Sequence, residues 1–218
     1  MLDISKLKIA KIIFALWRSL ESSTGKSYKT FTDAVVAAKK IVERYNFLSE
    51  NVRGVNFIGS GITELYLDCK NLTSINQLVN NCAVTEVHLI NTQNIQSWSY
   101  TFSGNSSTLK TLDLLDFSGY SGPLGYNHIR IAALENFRCV PGTIKGGDIT
   151  FPVNSWHLTV ESAINIILGL VNYKGTENEF RYSISFYSNT WTLLEAEGAT
   201  APGNMTWGDY ITEIGWNK

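Results

Sequence analysis

Four short windows of this sequence superimpose, and their spacing constrains the fold more than any other feature. Ile62-Thr63-Glu64-Leu65-Tyr66-Leu67, Val84-Thr85-Glu86-Val87-His88-Leu89, Leu109-Lys110-Thr111-Leu112-Asp113-Leu114 and Leu134-Glu135-Asn136-Phe137-Arg138-Cys139 are each apolar at positions one, four and six. They begin 22, 25 and 25 residues apart. Apolar residues at positions four and six put two side chains on one face of a strand and the residue between them on the other. A unit of this length carries too little apolar surface to fold alone, so neighbouring units must stack. Positions four then form an internal column of Leu65, Val87, Leu112 and Phe137. Positions five form an outward row of Tyr66, His88, Asp113 and Arg138, flanked by Glu64, Asp68, Glu86, Lys110 and Glu135.

The period and the L-x-x-L-x-L core are those of a leucine-rich repeat. The expected fold class is therefore α/β: a leucine-rich-repeat solenoid with a parallel sheet on its concave face, spanning residues 51–218. Within the connections, Leu72, Ile75, Leu78 and Val79 suit a short helix ending near Cys82, and Ile95, Trp98 and Phe102 suit its counterpart one unit later. Val52-Arg53-Gly54-Val55-Asn56-Phe57 reads as an opening strand. Leu158 to Leu170 reads as a helix, with Thr159 as its N-cap and Ser162 in its first turn. Phe180 to Phe186 alternates with period two and predicts a further strand. Trp191, Trp207, Tyr210 and Trp216 are large residues suited to closing the end of an array, and an aromatic cluster of this kind also stacks on sugars.

Residues 1–50 have a different texture. Ile4, Leu7, Ile9, Ile12, Ile13, Leu16, Trp17 and Leu20 fall mostly at helical spacing, and Thr32-Asp33 opens a second helical stretch through Arg44. Residues 1–53 hold 10 Lys/Arg against 5 Asp/Glu, whereas residues 54–218 hold 8 against 14. Two helices make too small a core to stand alone. This small N-terminal helical element is expected to dock the chain to an assembly, to cap the solenoid, or both. Gly25-Lys26-Ser27 lacks the upstream glycine and preceding strand of a phosphate loop.

Composition narrows function further. At 44% hydrophobic and 17% charged residues, with a net charge of −1, the chain is not disordered and has no basic excess for nucleic acid. Its longest N-terminal apolar run, Ile12–Trp17, is too short for a membrane span. No cleavage site follows it, so no signal peptide is expected. Cys69, Cys82 and Cys139 form neither a disulfide framework nor a CxxC pair and are expected as reduced, packed thiols. His88, His128 and His157 are too few and too scattered to imply a metal or cofactor. His88 and Asp113 fall within reach on neighbouring strands, but no Ser or Cys stands beside them to complete a triad. His157, beside Trp156, is expected to pack in a loop. Asp113 itself reads as solvent-facing, a position where alanine should be nearly neutral.

The run Asn71-Leu72-Thr73-Ser74-Ile75, followed by Asn81-Cys82 and Val84 to Leu89, resembles the BspA-type leucine-rich repeat of bacterial surface proteins and of their phages. Phe137, Pro141-Gly142-Thr143-Ile144-Lys145 and Leu158 to Ser162 resemble a terminal segment of phage-encoded members, with Trp191-Thr192-Leu193 and Gly215-Trp216-Asn217 as the closing motifs. The usual Asn or Cys after each strand is replaced by Lys70, Thr92, Phe117 and Gly142. The resemblance implies a non-enzymatic virion component, made in the host cytoplasm, in a tail, fibre or capsid. Its partners would be other virion proteins through the N-terminal helices, further copies of itself, and a host-surface protein or glycan. The ligand-binding residues would be Tyr66, His88, Asp113 and Arg138 on the concave face. The alternative is a cytosolic or surface bacterial leucine-rich-repeat protein that binds one protein partner.

Overall fold

Each repeated window contributes one strand, and the strands stand side by side in chain order. The computed structural model describes residues 46–47, 54, 56–59, 61–102, 108–122, 131–146, 155–196 and 200–218. The chain divides into two units, 1–46 and 47–218, and almost all described residues lie in the second. The helices expected within residues 1–50, the Gly25-Lys26-Ser27 segment and His128 lie outside the described residues. After a two-residue strand β1 (Asn46–Phe47) come β2 (Glu64–Asp68), β3 (Glu86–Ile90), β4 (Thr111–Leu115) and β5 (Asn136–Cys139). Strands β2 to β5 pair in parallel, each with the next. Three helices follow: α1 (Val160–Gly169), α2 (Ser188–Ala196) and α3 (Trp207–Glu213). The protein is thus α/β with a parallel sheet.

The register is the one the repeat demands. Leu65 pairs with Val87, Val87 with Leu112 and Leu112 with Phe137. All four are buried, as are Leu67, Leu89 and Cys139 at position six. The third unit departs from the pattern. A bulge between Leu112 and Leu115 sets two residues opposite Arg138, so Leu115 rather than Leu114 pairs with Cys139. Leu115 is fully buried.

Where short helices were expected, at 72–82 and 95–102, the described residues form turns, the second preceded by a single 3-10 turn at Thr92–Asn94. Gln77, Asn81, Asn91 and Tyr100 all have positive φ, which interrupts any helix there. Backbone groups instead bond from unit to unit: Ile75 N–H to Ser97 O at 3.1 Å, Gln77 N–H to Ser99 O at 3.0 Å and Val79 N–H to Thr101 O at 3.1 Å. Gly54, Ser74 and Ser97 form a second parallel ladder. Gly54, from the expected opening strand, therefore pairs with a connecting turn; Val52, Arg53 and Val55 lie outside the described residues. The apolar positions in these turns are nonetheless core: Leu72, Ile75, Leu78, Ile95 and Phe102 have no exposed surface.

Helix α1 packs along β5. Its N-cap is Thr159, whose side chain accepts from the Ser162 N–H. Ser162, Ala163, Ile166, Ile167 and Gly169 form the buried face. Gly169 is required by close approach, because a Cβ there would lie 2.5 Å from Cys139 Sγ. Beyond α1, the expected strand at 180–186 is reduced to an isolated parallel bridge between Ser183 and Asn217. Among the described residues its hydrogen-bonding partner across the chain is the short 215–217 segment, which accepts from Phe180 and Ile184. Trp216 is fully buried, and its indole N–H donates to Val171 O at 2.7 Å. Tyr173 and Tyr182 pack on Trp216 with centroid separations of 5.6 and 5.9 Å.

Candidate functional site

The outward row forms because parallel pairing in register carries position five of each strand onto position five of the next. Tyr66 pairs with His88, and His88 with Asp113. The Tyr66 and His88 rings stack at 4.5 Å with planes 6° apart. His88 Nδ1 lies 3.5 Å from Asp113 Oδ2, and His88 Nε2 lies 3.3 Å from Glu86 Oε2. Arg138 completes the row: its Nε donates to Asp113 Oδ1 at 2.7 Å and its Nη2 to Asp113 Oδ2 at 2.5 Å. Two parallel N–H···O bonds of this kind are the strongest geometry a guanidinium and a carboxylate adopt. The bulge in β4 sets Arg138 opposite Asp113 and Leu114.

The four expected site residues are therefore brought together, but not as four independent contacts. They form one continuous chain of ring stacking and charge across adjacent strands. Asp113 was expected to face solvent; it is 6% exposed, covered by the Arg138 and His88 side chains from its neighbours. Burial alone would raise its carboxyl, but hydrogen bonds from His88 and Arg138, with their charges, hold it below the usual carboxylate value. Burial likewise disfavours the charged His88 ring, and the hydrogen bonds and charges of Asp113 and Glu86 outweigh it, leaving the imidazole raised. The carboxylate is thus kept ionised between the Arg138 guanidinium and the His88 ring. Its acceptor capacity is directed at Arg138 and His88, which makes it a poor proton acceptor at neutral pH.

The flanking charges serve the protein itself. Lys110 and Glu135 pair at 2.9 Å on the exposed edge of the row. Asp68 is buried, accepting from Lys70 N–H at 3.0 Å and from Asn91 Nδ2 at 2.9 Å. Two side chains that the repeat pattern did not single out tie units together. Thr92 is fully buried, and its hydroxyl both accepts from Asp116 N–H at 2.6 Å and donates to Asp116 O at 3.0 Å. Ser162 accepts from the buried Phe137 N–H at 2.9 Å. Thr92 is the residue noted in the sequence as replacing the Asn or Cys of the repeat it resembles, and that difference was the available signal.

Away from the row, the chemistry is quiet. Cys69, Cys82 and Cys139 are free and buried, and burial pushes the Cys69 and Cys139 thiols up to about 12. Cys69 and Cys139 are therefore unreactive as nucleophiles there. His157 is exposed beside the exposed Trp156, whose ring stacks on Tyr187 at 4.6 Å. No group of three potential metal ligands occurs among the described residues, and none of their helices is long and apolar enough to cross a membrane. No protein-family model, curated protein or solved structure matches this chain.

Proposed function

We propose that this chain is a non-enzymatic recognition protein, a leucine-rich-repeat solenoid of the BspA type that serves as a structural or attachment component of a phage virion. The observation that carries the proposal is the row Tyr66–His88–Asp113–Arg138, carried on four parallel strands with one bulge in β4 and locked by its own contacts. Stacked repeats present extended side-chain rows of this kind to macromolecular partners. A partner arriving at the row meets an aromatic ring and a guanidinium already held in place, so little side-chain entropy is lost on contact. Tyr and Arg are also the residue types most enriched at binding hot spots. The buried Asp113 contributes by positioning Arg138 rather than by touching the partner. No bond is made or broken at this face. Residues 1–50 supply the attachment to neighbouring virion subunits.

Tyr66→Ala in the intact chain tests the proposal. Tyr66 is half-buried and can be truncated without unpairing Asp113. Attachment to host cells or to a purified partner should weaken about tenfold, the scale of one modest hot spot. The unfolding midpoint should stay close to that of the parent. Unaltered attachment would remove this face from recognition. Mass spectrometry of purified particles is the companion measurement, since a chain never found in particles is not a virion component.

A further inference from the structure

A second arrangement lies outside the sheet, at a cavity of about 300 Å³ between α2 and the start of α3. That volume is enough for the headgroup of a small ligand. Trp191, Leu194 and Glu195 of α2 form one wall, and Met205, Trp207 and Gly208 form much of the other. Glu195 is the charged residue among the described lining, and that lining holds no Lys or Arg. Its carboxylate has no ion-pair partner among the described residues. Trp207 is 6% exposed, and its indole N–H finds no acceptor among the described residues.

One group of the protein already rests on this wall. The Lys218 ammonium lies 4.8 Å from the centroid of the Trp191 ring. It also borders Gly208, where a Cβ would approach Lys218 Nζ to 2.8 Å. A side chain at 208 would displace the ammonium from the rim. The face of an indole carries negative electrostatic potential and attracts cations, most strongly when water is excluded. Two tryptophans, one unpaired carboxylate and an ammonium drawn from the chain itself define the chemistry of the site.

We propose that this cavity binds the alkylammonium headgroup of an external ligand, with Lys218 as the internal competitor for the Trp191 face. A quaternary ammonium fits best, because its methyl groups pack on Trp191, Leu194 and Met205 while its charge faces Glu195. The site is formed by elements other than the strands that carry Tyr66 and Arg138, so its success or failure is independent of the recognition proposed for the sheet.

The experiment is a titration of the full chain with choline and with tetramethylammonium at constant ionic strength, followed by tryptophan fluorescence. N-acetylglucosamine serves as the neutral comparison. Both cations should give saturable responses and the sugar none. Glu195→Gln, at an exposed position, should weaken the cations about fivefold by removing the charge at the rim. Lys218→Met should tighten them about threefold by freeing the ring face. Circular dichroism of both variants should match the parent. The inference is overturned if neither cation saturates the parent or Lys218→Met. It is equally overturned if the sugar binds as well as the cations, or if Glu195→Gln changes nothing.

Discussion

The sheet and the segment that follows it use the same carbonyl positions and answer them with different chemistry. Thr63 O accepts from the backbone N–H groups of Thr85 and Glu86, Thr85 O from Lys110 and Thr111, and Lys110 O from Glu135 and Asn136. One unit further, Glu135 O accepts from Thr159 N–H at 3.0 Å, and then from the Thr159 and Ser162 hydroxyls at 3.2 and 3.1 Å. The strand has been replaced by the N-terminal turn of α1. Stacking thus requires a donor at each pitch, not a strand as such. A strand supplies its donors from the backbone and leaves another unmet edge behind it. The α1 turn supplies part of them from side chains, and its own backbone bonds close within the helix.

The largest expected effect breaks the sheet side of this comparison. Leu112 is fully buried at the middle of the internal column. Leu112→Asp places an unpaired charge there and should cost more than about 4 kcal/mol, with cooperative loss of structure in a denaturant titration. Tolerance of this substitution would mean that the column is not the core.

Its neighbour on the same strand should cost less, but not the near-neutral change expected of a solvated aspartate. Asp113→Ala leaves His88 and Arg138 without their shared partner. Removing one member of a fully buried pair costs about 3–5 kcal/mol. The Arg138 side chain is 38% exposed and regains water, so about 2 kcal/mol is expected here, measured as a lower urea midpoint. A change within about 0.5 kcal/mol would return Asp113 to the class of surface residues.

Ser162→Ala sharpens the comparison at the junction itself. It leaves the buried Phe137 N–H without its acceptor and removes one donor to Glu135 O. About 1–2 kcal/mol of destabilisation is expected. Hydrogen exchange should accelerate at the Phe137 amide more than at the Val87 amide. Equal protection at both would mean that α1 contributes nothing to holding β5.

The smallest effect is the response to pH. The Asp113 carboxyl is lowered, so its contribution is present above the ordinary value of 3.8 and lost as pH falls through the folded-state value. The His88 imidazole is raised, so its contribution is present below the ordinary value of 6.5 and lost as pH rises through the folded-state value. Both contributions are complete between pH 3.8 and 6.5. His88→Gln should therefore flatten the decline in thermal midpoint on the alkaline side of that window and leave the acid limb largely intact. An identical pH profile for parent and variant would remove His88 from the row's electrostatics.

Much of the sheet was legible because strand period and repeat period agree. The column Leu65–Val87–Leu112–Phe137 and the Thr159 cap follow from spacing and residue type alone. The connections were not legible, since Leu72, Ile75 and Leu78 at intervals of three suit either helix turns or successive tight turns. Positive φ at Gln77 and Asn81, and backbone bonds to the next unit, decide for turns. At 180–186 the alternation holds in part: Ile184 and Phe186 are buried, whereas Phe180 is exposed. The partner available to this stretch is the brief 215–217 segment, which limits pairing to a bridge.

The sequence by itself determined which side of each strand faces the core, because side chains alternate strictly along an extended backbone. It also determined which residues would share a row, because each repeated window places its apolar positions alike and the parallel strands align on them. Only the tertiary structure decided what that row became. Whether Asp113 meets water or protein partners depends on His88 and Arg138, each 25 residues away along the chain, and on a bulge that shifts the register of β4 against β5. Alternation specifies a direction for a side chain. The neighbours brought there by folding determine its solvation, its charge and its partners.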